Sequence, residues 1–131
     1  ANRKSVPYGG QKYDFGTEFD PFRSIQNRKK MEKRYPLIHN RAASRYEFDL
    51  GNGARALIDY EATPRGYRLT HTEVPAAFEG QGVARQLVEA TLEEFRRRGD
   101  RIIPECSYIV HYIRRHPEWQ PLLADGYRFE V

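Results

Sequence analysis

A change of hydrophobic period between residues 72 and 84 constrains this chain more than any other feature. The residues up to Val74 have the pattern of a β-strand, and from Val83 apolar residues recur at three- and four-residue steps, as in a helix. Between them stand Gly80 and Gly82, which have no Cβ to block a close ligand or an unusual φ angle. Such a loop directs several backbone N–H groups to one point, and this point lies at the positive end of the helix dipole. The sequence therefore predicts an anion site, most naturally for a phosphate or pyrophosphate group.

Three short strands precede this loop and are expected to form an antiparallel meander. Apolar and polar residues alternate over residues 46–50 and again over 54–61, and a third strand spans 67–74. The connections at 51–53 and 63–66 contain glycine or proline and are short enough for tight turns.

The chain then changes from strands to helices. A helix from about Gly82 to Arg98 leads to a short strand at 101–104, and such a crossover implies parallel pairing with the third strand. A second helix is predicted over 108–115, capped by Ser107, and residues 124–131 are expected to return as a strand or edge segment. The predicted fold is therefore α/β with a mixed sheet.

Charge divides the chain into two parts. Residues 1–45 carry eleven Lys/Arg and four Asp/Glu, a net charge of +7, whereas residues 46–131 carry eleven and fourteen, a net charge of −3. We therefore predict a basic arm at 1–44, containing a basic helix at 23–34, and a domain at 45–131. The arm also holds aromatic rings suited to a partner surface, either RNA or protein. These rings belong to Tyr8, Tyr13, Phe15, Phe19 and Phe22.

Composition also limits the classes of protein to consider. The single cysteine, Cys106, excludes an intrachain disulfide and a cysteine-based zinc site of the usual type, and no metal site is predicted. No apolar run approaches the ~20 residues that span a bilayer. We expect an intracellular protein, cytoplasmic or organellar, that does not insert into membranes.

Four sequence blocks together resemble a known family. They are Thr-Glu-Val-Pro at 72–75, Gly-Gln-Gly-Val-Ala at 80–84, Pro-Glu-Cys-Ser-Tyr at 104–108 and Arg-His-Pro-Glu-Trp at 115–119. In this order and spacing they resemble the small single-domain branch of the GNAT acetyltransferase superfamily, over about residues 45–123. The resemblance implies a GNAT-like fold that binds acetyl-CoA.

The resemblance also implies positions for the parts of acetyl-CoA. The pantetheine arm would lie along the strand at 72–74, and the pyrophosphate would lie on the backbone amides of the loop at 80–84. The cofactor-binding residues implied in this way are Thr72, Val74, Gly80, Gln81, Gly82, Val83, Ala84, Arg85 and Arg115. One residue departs from the family pattern, because Glu79 stands where the superfamily usually has Arg or Gln. A carboxylate near a pyrophosphate is unfavourable unless it faces solvent or pairs with a cation such as Arg85.

Two residues are candidates for catalysis, and each has a structural alternative. Cys106 precedes a helix N-terminus, where a thiol favours the thiolate form, and in the resembled branch this cysteine is a candidate acyl acceptor. The alternative is a buried small hydrophobic residue. Glu73 is a candidate general base, the role of carboxylates on this strand in some GNAT enzymes. The alternative is a solvent-facing strand residue paired with an arginine.

The resemblance implies transfer of an acetyl group to an amine, with an acceptor that the sequence does not identify. A second interpretation is open. The domain could be a retired acetyltransferase serving as an accessory subunit of a large assembly, for example an organellar ribosome. Residues 1–44 would then lie on RNA or neighbouring proteins.

Overall fold

A computed structural model of the chain describes residues 33–129. These residues form five strands, two α-helices and two short 3₁₀ helices. The strands are β1 (Ile38–Asn40), β2 (Arg45–Gly51), β3 (Ala54–Thr63), β4 (Gly66–Glu73) and β5 (Ile102–Pro104). The helices are α1 (Val83–Arg98) and α2 (Ser107–Arg115), and the 3₁₀ helices span Ala76–Phe78 and Pro117–Leu122.

The strands lie in the sheet in chain order, β1-β2-β3-β4-β5. The first four pair antiparallel, and β5 pairs parallel with β4 after the α1 crossover. The predicted mixed α/β sheet, an antiparallel meander followed by a crossover to a parallel strand, is therefore confirmed. The parallel pairing follows from the helix, since a crossover returns the chain to the same end of the sheet.

One face of the sheet is covered by the helices and forms the core. Alternation along β2 and β3 places Tyr46, Phe48, Ala56 and Ile58 on this face, each at most 1% exposed. Each large apolar side chain buried in this way stabilises the fold by about 1.5–3 kcal/mol. The helices contribute Leu87, Val88, Leu92, Phe95, Ile109 and Ile113, all fully buried.

The folded domain begins before the boundary predicted from charge. β1 pairs with β2 through Ile38–Glu47, His39–Tyr46 and Asn40–Arg45. Tyr35 stacks on Phe48 with ring centroids 5.3 Å apart. The compact unit accordingly begins at Arg34, so residues 34–44 belong to the domain rather than to the arm. The rest of the predicted arm and most of its basic helix at 23–34 lie outside the described residues.

Two local predictions differ from the structure. The residue that caps α2 is Cys106, whereas Ser107 is the first residue of the helix. No side-chain hydrogen bond caps this helix, so the serine hydroxyl does not fix where the helix begins. After α2 the chain makes one bridge to the sheet, between Leu123 and Ile102, and residues 124–129 then form a turn and irregular chain instead of a strand.

Candidate functional site

A gap opens where β4 and β5 separate. The two strands pair from Tyr67–Ile102 to Leu69–Pro104. The Leu69 carbonyl oxygen then accepts hydrogen bonds from the backbone N–H groups of both Glu105, at 2.9 Å, and Cys106, at 3.0 Å. Beyond this point β4 continues to Glu73, whereas the segment after β5 leaves the sheet and enters α2. No strand of the described part of the chain pairs with residues 70–73 on this side, which leaves polar backbone facing the gap.

The loop beside the gap has the geometry of an anion cradle. Gly80 and Gly82 have φ angles of 81° and 80°, in the left-handed region that favours glycine. Gly82 is the N-cap of α1, and the first helical hydrogen bond runs from Gln86 N–H to Gly82 C=O at 3.0 Å. The amides of Val83 and Ala84 therefore precede that bond and have no acceptor within the helix. A ligand anion at this position would supply the acceptor.

The gap and the loop form one cavity of about 400 Å³. Most of the predicted cofactor residues line it together, although they come from three separate elements. Its lining comprises Thr72, Val74, Phe78, Glu79, Gly80, Gly82, Val83, Ala84, Arg85 and Tyr108. Gln81 does not line it; the Gln81 side-chain amide donates to the Ala77 carbonyl oxygen at 3.3 Å and supports the loop from outside.

A second cavity of about 560 Å³ adjoins the first, because Arg85 and Tyr108 line both. Arg115, the remaining predicted cofactor residue, lies here. The wall is one face of α2 together with the beginning of α1. Its lining comprises Arg85, Ser107, Tyr108, His111, Tyr112, Arg115 and His116.

A partly buried hydrogen-bond network joins α1 to α2 behind this wall. The Tyr112 hydroxyl donates to Glu89 Oε2 at 2.8 Å, and Glu89 also pairs with Arg85 at 3.3 Å. Burial raises the pKa of Tyr112, and the neighbouring Glu89 carboxylate raises that pKa further. The His116 ring stacks on Tyr112 at 4.1 Å and donates from Nδ1 to the Tyr112 carbonyl oxygen at 2.8 Å. The network fixes the spacing of the two helices and hence the width of the second cavity.

Glu79, which stands where the superfamily usually has Arg or Gln, lines the first cavity. The residue is exposed to solvent, and the cation Arg85 lines the same cavity. Solvent screening reduces the repulsion between an exposed carboxylate and a phosphate. The loop keeps its backbone donors whatever side chain stands at this position.

Cys106 lies at the closed end of the gap. Its thiol donates to Thr72 Oγ1 at 3.3 Å, and the residue is half-buried. Since Thr72 lines the first cavity, the sulfur is one side chain away from the space where a ligand would lie. It lies at the N-terminus of α2, where the sequence placed it, but as the cap in place of Ser107, and its chemical role stays a prediction.

Glu73 lies on the other face of the sheet. Strand alternation separates it from Thr72, and β3 pairing sets Glu73 opposite Leu57 but Thr72 opposite Ile58 of the core. The Glu73 side chain is 63% exposed and lies 3.4 Å from His71 Nε2. The structure thus brings Cys106 and Thr72 together and leaves Glu73 on the opposite face of the strand, outside the lining of both cavities.

Several lining residues were not identified from the sequence as site residues. Tyr108 contributes to both cavities, yet the sequence analysis gave it no role beyond ending the block at 104–108 and starting a helix. The detectable signal was the helical spacing of Tyr108, His111, Tyr112 and Arg115, which places four polar or aromatic side chains on one face. Within residues 33–129, no cluster of three or more potential metal ligands occurs, and no helix is long and apolar enough to cross a membrane.

Comparison with known proteins identifies a family. A family described as GCN5-related N-acetyl-transferase matches residues 45–122. The chain is similar to Protein NATD1 of Xenopus tropicalis, with 33% identity over 82 residues that cover 60% of this chain and 74% of the relative. The mouse protein of that name is 34% identical over the same shares, and the human one is 36% identical over 48% of this chain and 57% of the relative.

Proposed function

Because the chain belongs to the GCN5-related N-acetyltransferase family, we propose that it binds acetyl-CoA and transfers the acetyl group to a primary amine. One observation carries the proposal. The gap between β4 and β5 opens directly onto the glycine loop, so that one cavity of about 400 Å³ combines backbone polar groups with helix N-terminal amides. An extended amide chain that ends in a pyrophosphate matches this combination.

The chain's own groups would hold the donor at two places. The free edge of β4 near Thr72 and Val74 offers backbone hydrogen bonds to the amides of the pantetheine arm. The amides of Val83 and Ala84 donate to the pyrophosphate, and the left-handed glycines let the backbone approach it closely. This arrangement leaves the thioester at the closed end of the gap, beside Cys106.

The position of Cys106 supports a transfer in two steps. The Cys106 sulfur attacks the thioester carbonyl carbon and gives its proton to solvent, the carbon–sulfur bond to CoA breaks, and the CoA thiolate takes up a proton. The amine nitrogen then attacks the acetyl carbon on Cys106, and the thiolate of Cys106 leaves. Glu73 accepts the proton that the amine loses; its side chain is 63% exposed, so the carboxylate can meet an amine that arrives from solvent.

A transfer assay on the full chain tests the proposal. Release of free CoA thiol is followed with acetyl-CoA and a panel of primary amines, including polyamines and peptides that contain lysine. We expect release that depends on one class of amine. The Gly82→Glu variant adds bulk and negative charge to the loop and should abolish release. Release that no amine stimulates, or that Gly82→Glu leaves unchanged, would contradict the proposal.

The charge division favours a second candidate function, that of an accessory subunit in a large assembly of the cytoplasm or an organelle. The net charge of +7 on residues 1–45 suits contact with RNA, and the aromatic rings there suit contact with protein. Deleting residues 1–33 keeps β1 and Tyr35, so the domain should fold and bind acetyl-CoA as before. RNA binding by the full chain should weaken steeply as the salt concentration rises. Loss of this binding on deletion of residues 1–33 would support the second function.

A further inference from the structure

A third cavity, of about 450 Å³, adjoins the second one at Tyr112 and His116, which line both. Its walls come from α1, from the 3₁₀ helix Pro117–Leu122 and from the segment before β1. It shares no lining residue with the first cavity, where the proposed transfer takes place. A ligand of the third cavity is therefore not the amine that receives the acetyl group.

Gln86 contributes to this wall a buried polar group that the fold does not use. The residue lines the third cavity and is 5% exposed, and its Nε2 atom has no hydrogen-bond partner among residues 33–129. A buried donor without an acceptor costs stability, and a ligand oxygen would remove that cost. The last side-chain torsion of glutamine turns easily, so the amide can direct its N–H groups toward a ligand in the cavity.

Two charges of opposite sign line the cavity without ion-pair partners among residues 33–129. Glu118 lies on the 3₁₀ helix and Arg34 lies before β1; both are exposed, and no ion pair joins them. The two other carboxylates of the lining, both on α1, are already paired with arginines of the same helix. A ligand that carries one positive and one negative group would therefore neutralise both unpaired charges.

Aromatic rings form the apolar part of the wall. The rings of Tyr35 and Phe48 stack with centroids 5.3 Å apart, and both residues line the cavity. Trp119, which is 9% exposed, lines it from the 3₁₀ helix. Aromatic rings pack favourably against one another in tilted and offset arrangements, so this wall suits a ligand with an aromatic side chain.

We infer that the third cavity binds a free α-amino acid with an aromatic side chain. The ammonium group pairs with Glu118, and the carboxylate accepts hydrogen bonds from the Arg34 guanidinium and the Gln86 amide. The aromatic side chain packs against the ring wall. A ligand of the same shape with only one of the two charges leaves either Arg34 or Glu118 without a counter-ion, so the site selects the zwitterion.

The fluorescence of Trp119 can report binding, because it is the only tryptophan of the 131 residues and lines the cavity. The full chain is titrated with L-phenylalanine and with two analogues, phenethylamine and 3-phenylpropionate, which lack the carboxylate and the ammonium group respectively. L-Phenylalanine should change the emission saturably. Each analogue should bind roughly tenfold more weakly or worse, because it loses charge-assisted hydrogen bonds.

Variants then assign the two charges of the ligand. Glu118→Gln should weaken binding of L-phenylalanine roughly tenfold and leave that of 3-phenylpropionate unchanged, since this analogue has no ammonium group. Gln86→Met should weaken both ligands, because both carry the carboxylate. Glu94→Gln is the matched control for Glu118→Gln, since Glu94 pairs with Arg97 on α1 and does not line the cavity.

The inference is overturned if L-phenylalanine brings no saturable change in the wild-type chain, or if either analogue binds as tightly as L-phenylalanine. Unchanged affinity for L-phenylalanine in Glu118→Gln or Gln86→Met, or an equal loss in Glu94→Gln and Glu118→Gln, would overturn it as well. Circular dichroism of each variant shows that the fold is retained. None of these results bears on acetyl-CoA binding, because the first cavity is lined by other residues.

Discussion

The thiol of Cys106 donates a hydrogen bond to Thr72 Oγ1 across 3.3 Å and so joins the second residue after β5 to β4, beyond the last residue pair of the two strands. The contact closes the inner end of the gap. It also orients the sulfur toward a residue that lines the loop cavity. A thiol at this position can contact a ligand without being exposed at the surface.

The first prediction concerns Cys106. On incubation with acetyl-CoA the full chain should gain one acetyl group, detected by intact-mass spectrometry and removed by hydroxylamine. Cys106→Ala should prevent this gain while leaving acetyl-CoA affinity within about twofold, because the cavity is lined by other residues. Alkylation of the wild-type thiol should be slowed by acetyl-CoA. An acetyl group on another residue in both proteins, or alkylation that acetyl-CoA does not affect, would leave Cys106 a packing residue.

The second prediction concerns Glu73. Glu73→Gln should lower the rate of amine-dependent transfer by roughly 10²-fold or more and leave acetyl-CoA affinity unchanged, since a general base acts on the amine. His71→Gln is the control, because it removes the 3.4 Å contact with Glu73 and keeps the carboxylate. Equal rates in Glu73→Gln and the wild-type chain would make Glu73 a surface residue of the strand.

The third prediction concerns stability. Gln86 is 5% exposed, and its Nε2 atom has no hydrogen-bond partner among residues 33–129. Gln86→Met keeps the shape of the side chain and removes the buried donor, so it should raise the free energy of unfolding by about 1 kcal/mol. Gln81→Met, which loses a bond to Ala77, should bring no such gain. Denaturant melts of the three proteins measure the difference, and a destabilised Gln86→Met would show that the amide is satisfied in solution.

The sequence predicted what depends on local pattern. Alternation at Tyr46 and Phe48 identified the core face of β2, and the helical period after Gly82 identified α1 to within one residue. The sequence did not predict β1, because a strand of three residues is too short to show a detectable alternation of polar and apolar residues. The second cavity was also not predicted as a whole, since its width is set by the long-range contact between Glu89 and Tyr112.

The fourth prediction concerns pH. Burial lowers the pKa of His39, and the positive charges of Arg41 and Arg98 lower that pKa further, while Glu94 opposes them. Protonation is therefore easier in the unfolded chain, so His39 contributes stability at a pH above about 6.5, and this contribution is lost as the pH falls below that value. His39→Gln should show a smaller loss of stability between about pH 7.5 and 5 than the wild-type chain. Equal slopes in His39→Gln and the wild-type chain would contradict the prediction.

The most direct measurement is a calorimetric titration of the full chain with acetyl-CoA, repeated for Gly80→Ala and Gly53→Ala. The two glycines have φ angles of 81° and 80°, and a Cβ at either position meets no atom within 4 Å, so both variants carry the same backbone strain of about 1–2 kcal/mol. Gly53 lies in the β2–β3 turn, away from the loop. The wild-type chain and Gly53→Ala should each bind one acetyl-CoA saturably, and Gly80→Ala should bind it roughly tenfold more weakly. No saturable heat with the wild-type chain, or equal affinity in the two variants, would contradict acetyl-CoA binding at the loop.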